Sequence, residues 1–276
     1  MARSRGCARG GHLWSRVYGM THEAIGLFRG ETALVTGSAS NIGRAIAVAL
    51  SREGAAVRLV DNNAEGNTAV AQQIAGAGGS AEAVTIDLST TDGWRKALPP
   101  DDQPVAMFVH SASPPRHEKD GVLTVSEATW DAMANTNVRS GFLIARELGR
   151  RMRHAGSGGR MLFITSLHAE APRNIPHYSA AKAGQTMIVK ELARALGPSG
   201  IRVNALAPGA VPGGGFNAAA FDFSGKVPLG RLGTAEDMAN MAVALLSDRF
   251  SGYVTGTTVA VDGGIALYNW IPLPTD

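Results

Sequence analysis

From Thr32 onward, short apolar runs alternate with longer stretches in which apolar residues recur every three or four positions. Thr32 to Thr36 has strand length and is followed by a Gly-rich turn and a helical pattern from Arg44 to Arg52. Ala56 to Val60 reads as a second strand ending at Asp61, Ala64 to about Ala77 as a helix, Glu82 to Ile86 as a strand ending at Asp87, and Val105 to Val109 as a fourth strand. Glu127 to Arg153 is a long helical region, with Trp130, Met133, Val138, Phe142, Leu143 and Leu148 as its expected buried face. Met161 to Ile164 is a strand. His177 to Leu196 is an amphipathic helix carried by Ala181, Met187, Ile188, Leu192, Ala195 and Leu196. A capped helix opens at Thr234-Ala-Glu-Asp and runs to Leu246, and Thr257 to Val261 closes the pattern as a strand. Strands alternating with helices in this way predict right-handed crossovers and a parallel sheet covered on both faces.

Apolar residues at 45% of 276 positions suffice for one well-buried domain and hardly for two. The expected fold is therefore a single α/β domain over 20–276, a doubly wound, Rossmann-like parallel sheet with helices on both faces. The formal charge of +3 belongs to the leader: Arg3, Arg5, Arg9 and Arg16 lie in residues 1–19 with no acid, and removing those four from 26 basic residues leaves 22 against 23 acidic ones. The body thus has no basic stripe of the kind nucleic acid requires. The leader lacks the apolar stretch of a secretory signal. It reads as an organelle transit peptide or as sequence upstream of a true start at Met20, the second preferred, and is expected to be poorly ordered. Cys7 is the sole cysteine, which excludes an intrachain disulfide and suits a reducing, cytoplasmic setting. No apolar run reaches about 18 residues, so no membrane span is expected.

The first turn has the chemistry of a phosphate cradle. Gly37 lets the backbone turn tightly after the strand, and Gly43 lets the following helix come close to a pyrophosphate, whose charge the helix N-terminus attracts. Asp61 follows Gly43 by 18 residues, where a carboxylate can accept from both ribose hydroxyls and would repel a 2′-phosphate. This predicts NAD over NADP. Asp87, followed by Leu88, is a candidate for the adenine amino group or else a turn residue.

Further along, Tyr178 and Lys182 stand four apart on one helix and face the same way. A free tyrosine titrates near pH ~10, and a nearby cation favours the phenolate and lowers that value. Such a phenol can pass a proton to or from an alcohol or carbonyl oxygen. A buried Asn must be hydrogen-bonded; Asn137, unlike the more exposed Asn135, is placed to hold a water on a proton path. Thr165-Ser166 supplies a hydroxyl at a strand's carboxyl end, where such sheets bind ligands.

Together these residues resemble the short-chain dehydrogenase/reductase family from about Leu27 to Gly264. The resemblance is carried by Thr36-Gly37 with Asn41-Ile42-Gly43, by Asp61, Asp87, Asn137, Ser166 and Tyr178 with Lys182, by Ile201-Arg-Val-Asn204 and Pro208-Gly209, and by Val261-Asp-Gly-Gly264. It implies hydride transfer at a nicotinamide with Tyr178 as general acid/base. Lys182 would hold the nicotinamide ribose and depress the tyrosine pKa, Ser166 would orient substrate, and Asn137 would keep a relay water. The implied cofactor contacts are Gly37, Ser38, Asn41, Ile42, Gly43, Asp61, Asn62, Asp87, Leu88, Ser111, Ala112, Tyr178, Lys182, Pro208, Gly209 and Val211. Tetramers with two-fold axes are common in that family, so a homotetramer is expected, with a dimer as the alternative.

The departures from the family pattern matter equally. Asn41 replaces a glycine of the phosphate turn, still permitting a left-handed backbone but leaving less room. His110-Ser111-Ala112-Ser113 replaces Asn-Asn-Ala-Gly, so the bonds made there must be remade by Ser111 or by backbone. The Ser166-to-Tyr178 gap of twelve is one short of the commonest spacing, which leaves Thr165 as the alternative hydroxyl. The threonine expected after Pro208-Gly209 is missing, and the Val211 amide would have to serve. Residues 210–228, with Gly213 to Gly215 and Phe216, Phe221 and Phe223, read as a lid over substrate. Ser113, Pro114, His168, Arg173 and Phe216 are pocket candidates. His177 borders them and, like His168, is assigned no catalytic role. No His/Cys/Asp cluster has metal-ligand spacing, so no catalytic metal is expected. The apolar tail after Ile265 suggests burial against a sister subunit.

The preferred activity is NAD-dependent oxidation or reduction of a small to medium polar substrate such as a sugar, polyol or hydroxy acid. The alternatives are an NADPH-dependent reductase of ketoacyl thioesters or pterins, and an inactive nucleotide sensor.

Overall fold

A computed structural model describes residues 26–116, 120–213, 223 and 225–267. The leader, Phe216, most of the expected lid and the apolar tail after Leu267 lie outside them. Seven strands form one parallel sheet: β1 (Thr32–Thr36), β2 (Ala56–Asp61), β3 (Ser80–Thr85), β4 (Met107–His110), β5 (Gly159–Ile164), β6 (Ile201–Pro208) and β7 (Thr258–Val261). Their spatial order is β3-β2-β1-β4-β5-β6-β7, so the chain starts in the middle and reverses direction between β1 and β4. A crevice at the carboxyl ends of the strands is where such a sheet takes a ligand.

The central strands β1 and β4 are buried almost end to end because both faces are covered, whereas the edge strand β3 is largely exposed. Along β1, Ala33 and Val35 point into the core packed by Ile46, Leu50, Val70, Met238 and Leu245. Leu34, between them, points into the opposite core with Phe108, Ile144, Phe163, Val189 and Leu192. The period of two thus supplies two cores from one run. The first core takes α1 (Asn41–Arg52), α2 (Ala64–Gly76) and α7 (Ala235–Leu246); the second takes α3 (Gly93–Ala97), α5 (Gly141–Ala155) and α6 (Pro176–Leu196). A short α8 (Asp248–Ser251) follows α7. The expected capping box holds α7: Thr234 Oγ1 accepts from the Asp237 amide at 3.1 Å, and Asp237 accepts from the Thr234 amide at 2.8 Å.

The long helix differs from expectation. It comprises α4 (Glu127–Met133), a seven-residue π segment (Ala134–Ser140) and α5 without a break. Trp130 and Phe142, expected inside, are 42% and 37% exposed, while Thr136, Asn137 and Ser140 are buried in their place. On α6, Met187 and Ala195 also face outward, and Gln185, Val189 and Ala193 carry the buried stripe.

Candidate active site

The first turn is built by backbone. Gly37 takes φ +69°, and a Cβ there would lie 2.6 Å from the Ala112 amide nitrogen. A Cβ on Gly43 would lie 2.0 Å from the Gly37 carbonyl oxygen, so the helix enters at a distance only glycine allows. Asn41 takes the left-handed φ of 45°, and its amide lies against Gly213 across the crevice. This cradle of amides at the α1 N-terminus fits a dinucleotide pyrophosphate. Asp61, at the end of β2, accepts from the Ala39 amide at 3.0 Å and from the Asn63 amide at 2.9 Å, tying the turn to the neighbouring strand. Asn62 is exposed beside it.

Two expected cofactor contacts turn inward. Ser38 is fully buried and donates to Asn67 Oδ1 at 2.8 Å, because Asn67 is itself buried while donating to the Leu59 and Val84 carbonyls. Leu88 packs in the second core. Only their backbones remain for a ligand. Asp87 is exposed and accepts from the Ser89 amide at 2.8 Å, as a turn residue does. Across the crevice, Pro208 ends β6 beside Val261, Gly209 follows with its amide on the Val261 carbonyl, and Val211 is buried.

The other wall is built from side chains. Tyr178 and Lys182 share one face of α6, both buried, with Lys182 Nζ 5.6 Å from the phenol ring centroid. Lys182 donates to the Ile164 carbonyl at 2.8 Å and to Gln185 Oε1 at 3.1 Å. Burial, reinforced by the positive charge of Arg116, lowers its pKa to about 7. Ser166 and Thr165 separate cleanly: Thr165 Oγ1 donates to the Leu206 carbonyl at 3.1 Å, whereas Ser166 Oγ accepts from the His168 amide and keeps its own proton to donate. His168 stands edge-on to Tyr178, ring centroids 6.4 Å apart, and its Nδ1–H donates to the Ala171 carbonyl. His177 is buried, its pKa lowered by desolvation. Arg173 is partly buried just before α6.

Asn137 lies in the π segment, a helical form common at functional sites. Its Nδ2 donates to Ser113 Oγ at 3.2 Å and to the Met133 carbonyl at 3.2 Å, while its Oδ1 is buried without a partner. Ser113 Oγ reaches on to the Pro114 carbonyl. The Asn137 carbonyl receives two protein donors, Gln185 Nε2 at 2.9 Å and His110 Nε2 at 3.1 Å. Gln185 therefore links the Asn137 carbonyl directly to the Lys182 ammonium.

His110 corrects a second expectation. The bonds of the missing asparagines, expected from Ser111 or from backbone, are remade by the imidazole together with the Ser111 and Ala112 amides. Nε2 faces the carbonyls of both Thr136 and Asn137, so it carries the proton, and Nδ1 accepts from Thr36 Oγ1 at 2.9 Å. Thr36 Oγ1 in turn accepts from the Ser111 and Ala112 amides. Gly141 makes room for the ring, since a Cβ there would lie 2.6 Å from His110 Cδ2. Burial and the nearby Lys182 charge drive the His110 pKa down to about 3. One chain of hydrogen bonds thus runs from the cradle through His110 to Asn137, Gln185 and Lys182.

Sequence reasoning missed His110, Gln185 and Arg116. Gln185 alone left a signal, three residues beyond Lys182 on the same helical face.

The model of the family described as Enoyl-(Acyl carrier protein) reductase matches residues 37–266. The L-rhamnose 1-dehydrogenase (NAD(P)(+)) of Azotobacter vinelandii is 32% identical over 250 residues, covering 85% of this chain and 96% of the relative. The 3-oxoacyl-(acyl-carrier-protein) reductase of Pseudomonas aeruginosa is 32% identical over 243 residues, covering 86% and 98%. A crystal structure from Beutenbergia cavernae, provisionally assigned as an NAD(P) dependent gluconate 5-dehydrogenase and holding NADP at low occupancy, superimposes with a TM-score of 0.81 at 34% identity, covering 87% of this chain and 98% of that one. The chain belongs to the short-chain dehydrogenase/reductase family. It is an NAD(P)-dependent oxidoreductase acting on hydroxyl or carbonyl groups.

Proposed function

We propose that this enzyme interconverts an alcohol and a carbonyl on a small polar substrate, with Tyr178 moving the proton at the substrate oxygen. A nicotinamide cofactor, when bound, supplies the hydride acceptor or donor. Ser166 Oγ–H donates to the same substrate oxygen and fixes it opposite the phenol. Lys182 has three donors, two taken by Ile164 and Gln185, leaving one for a ribose hydroxyl. The observation that carries the reading is the burial of Tyr178 and Lys182 on one helical face beside a serine whose proton is free. Tyr178→Phe tests it: turnover of every alcohol and carbonyl substrate should vanish while NADH titration stays within about twofold of wild type. Equal turnover by the variant would overturn the assignment.

NAD is the favoured cofactor, because the Asp61 carboxylate would oppose a 2′-phosphate. Asp61→Ala should move the NADP-to-NAD ratio of kcat/KM upward by about tenfold, and an unchanged ratio would remove Asp61 from the choice. NADPH-dependent reduction of an acyl thioester is the second reading, favoured by the likeness to the Pseudomonas reductase. Homotetramer formation is supported by Trp130 and Phe142 on α4 and α5 and by Met187 on α6, all exposed apolar side chains on helices flanking the sheet. Light scattering that reports a monomer at micromolar concentration would exclude it. A cytoplasmic setting suits a chain with one cysteine, and among the described residues no helix is long and apolar enough to cross a membrane.

A further inference from the structure

Arg116 follows β4 in the same loop as Ser113 and Pro114, and its guanidinium Cζ lies 4.7 Å from the Tyr178 ring centroid. Lys182 Nζ lies 5.6 Å from that centroid, so two cations converge on one phenol. No carboxylate among the described residues pairs with either. Asp120, the next described acid in the loop, acts electrostatically on His177 instead. Arg116 Nε is buried without a hydrogen-bond partner. Arg116 is partly buried as a residue, and a guanidinium with no carboxylate partner among the described residues, set next to a buried ammonium, is an arrangement that an arriving anion relieves. Stacking on an aromatic face compensates part of the charge but leaves the planar N–H fork unfilled, and that fork matches a carboxylate in two-point geometry.

We propose that Arg116 is a substrate-binding residue and that the substrate is a hydroxy or oxo acid, its carboxylate held by the Arg116 guanidinium one or two carbons from the reacting carbon. This rests on the Tyr178 reading above and narrows it. The anion belongs to the substrate end of the crevice. Arg116 stands over the proton-carrying ring, and Ser113, three residues earlier, bonds Asn137. The cofactor's phosphates belong to the α1 N-terminus, beside Gly37 and Gly43. A carboxylate on Arg116 would also offset the electrostatic part of the lowering at Lys182, whose larger cause is burial.

The test is a set of matched pairs that differ only in charge: lactate with propane-1,2-diol, 3-hydroxybutyrate with butane-1,3-diol, and D-gluconate with D-glucitol. Initial rates are measured with NAD and NADP for wild type, Arg116→Met and Arg116→Lys. In at least one pair the acid should exceed its neutral partner by about a hundredfold in kcat/KM, the size of a charge-assisted contact. Arg116→Met should collapse that ratio to about one, and Arg116→Lys should restore part of it. Neutral partners that match or outrun the acids in every pair would overturn the proposal, as would an Arg116→Met variant that keeps the ratio. Calorimetric titration of the NADH-saturated enzyme with the three acids separates the two levels of inference. Acid binding lost in Arg116→Met, with no alcohol oxidised by wild type, keeps the anion site and removes hydride transfer. Ready oxidation of neutral alcohols without acid binding does the reverse, and neither turnover nor acid binding sinks the anion site. NADH titration and thermal unfolding of Arg116→Met establish that the variant folds.

Discussion

The two walls of the crevice are made of different material. On the cradle side, Gly37, Gly43 and the α1 amides offer backbone, and the Asp61 carboxylate is occupied in bracing the turn. On the opposite side, Tyr178, Lys182, Asn137, Gln185 and His110 are buried polar side chains that hold one another. A wall of backbone tolerates little added volume, and a wall of buried polar groups tolerates little lost hydrogen bonding. Substitutions should therefore divide into those that change binding and those that change turnover.

The sharpest contrast comes from Tyr178→Phe, whose loss in kcat should reach about a thousandfold with cofactor affinity intact, measured by initial rates beside NADH fluorescence titration. Next in size is Gly43→Ala. Its Cβ meets the Gly37 carbonyl, so the cofactor dissociation constant should rise by more than about tenfold while the turnover of the saturated enzyme changes far less. If this variant lowered kcat and spared binding, the division between the walls would disappear. A smaller effect is expected from Gln185→Leu, which removes a donor from the Asn137 carbonyl and an acceptor from Lys182. Turnover should fall by about tenfold with the cofactor dissociation constant unchanged, and Gln185→Glu, which keeps the acceptor, should recover part of it. Equal losses in the two variants would mean that Gln185 only fills space.

The smallest effect is on stability and appears as a pH slope. The folded chain refuses a proton at His110 down to about pH 3, whereas the unfolded histidine accepts one near its ordinary value of 6.5. Between these values the unfolded state binds more protons, so stability falls as pH drops from 6.5 toward 3. Thermal unfolding at pH 7, 6, 5 and 4 should show the slope, reduced in His110→Gln. An unreduced slope would place the acid sensitivity elsewhere.

The cradle was legible in the sequence because its demands are local. Gly37 and Gly43 are required by close backbone approach within one turn, and Asp61 by the end of the next strand. Six of the seven strands are equally plain, their limits shifting by at most two residues, whereas β6 is marked only by the Ile201-Arg-Val-Asn204 motif. The polar wall was legible only where spacing on one helix sufficed, as for Tyr178 and Lys182. His110 meets Asn137 across 27 positions and Gln185 meets it across 48, and no periodicity encodes such meetings. The π segment hid the rest. Trp130 and Phe142 count inward on a helical repeat that the segment interrupts, and nothing in that repeat shows that the Asn137 carbonyl takes two protein donors. Ser38 misled for a related reason: its motif position suggested a ligand, but Asn67, from a separate helix, claims its hydroxyl.

The wide turn at Ala134–Ser140 makes this enzyme sensitive to chain length as well as to residue identity. Removing one residue there would let the helix relax to regular α-winding and keep its apolar contacts on either side. It would also withdraw the Thr136 and Asn137 carbonyls that the wide turn presents to His110. The histidine ring would then face empty space where two oxygens had been. A single-codon loss would spare the cradle at Gly37 and Gly43 and unpin the polar wall across the crevice from it.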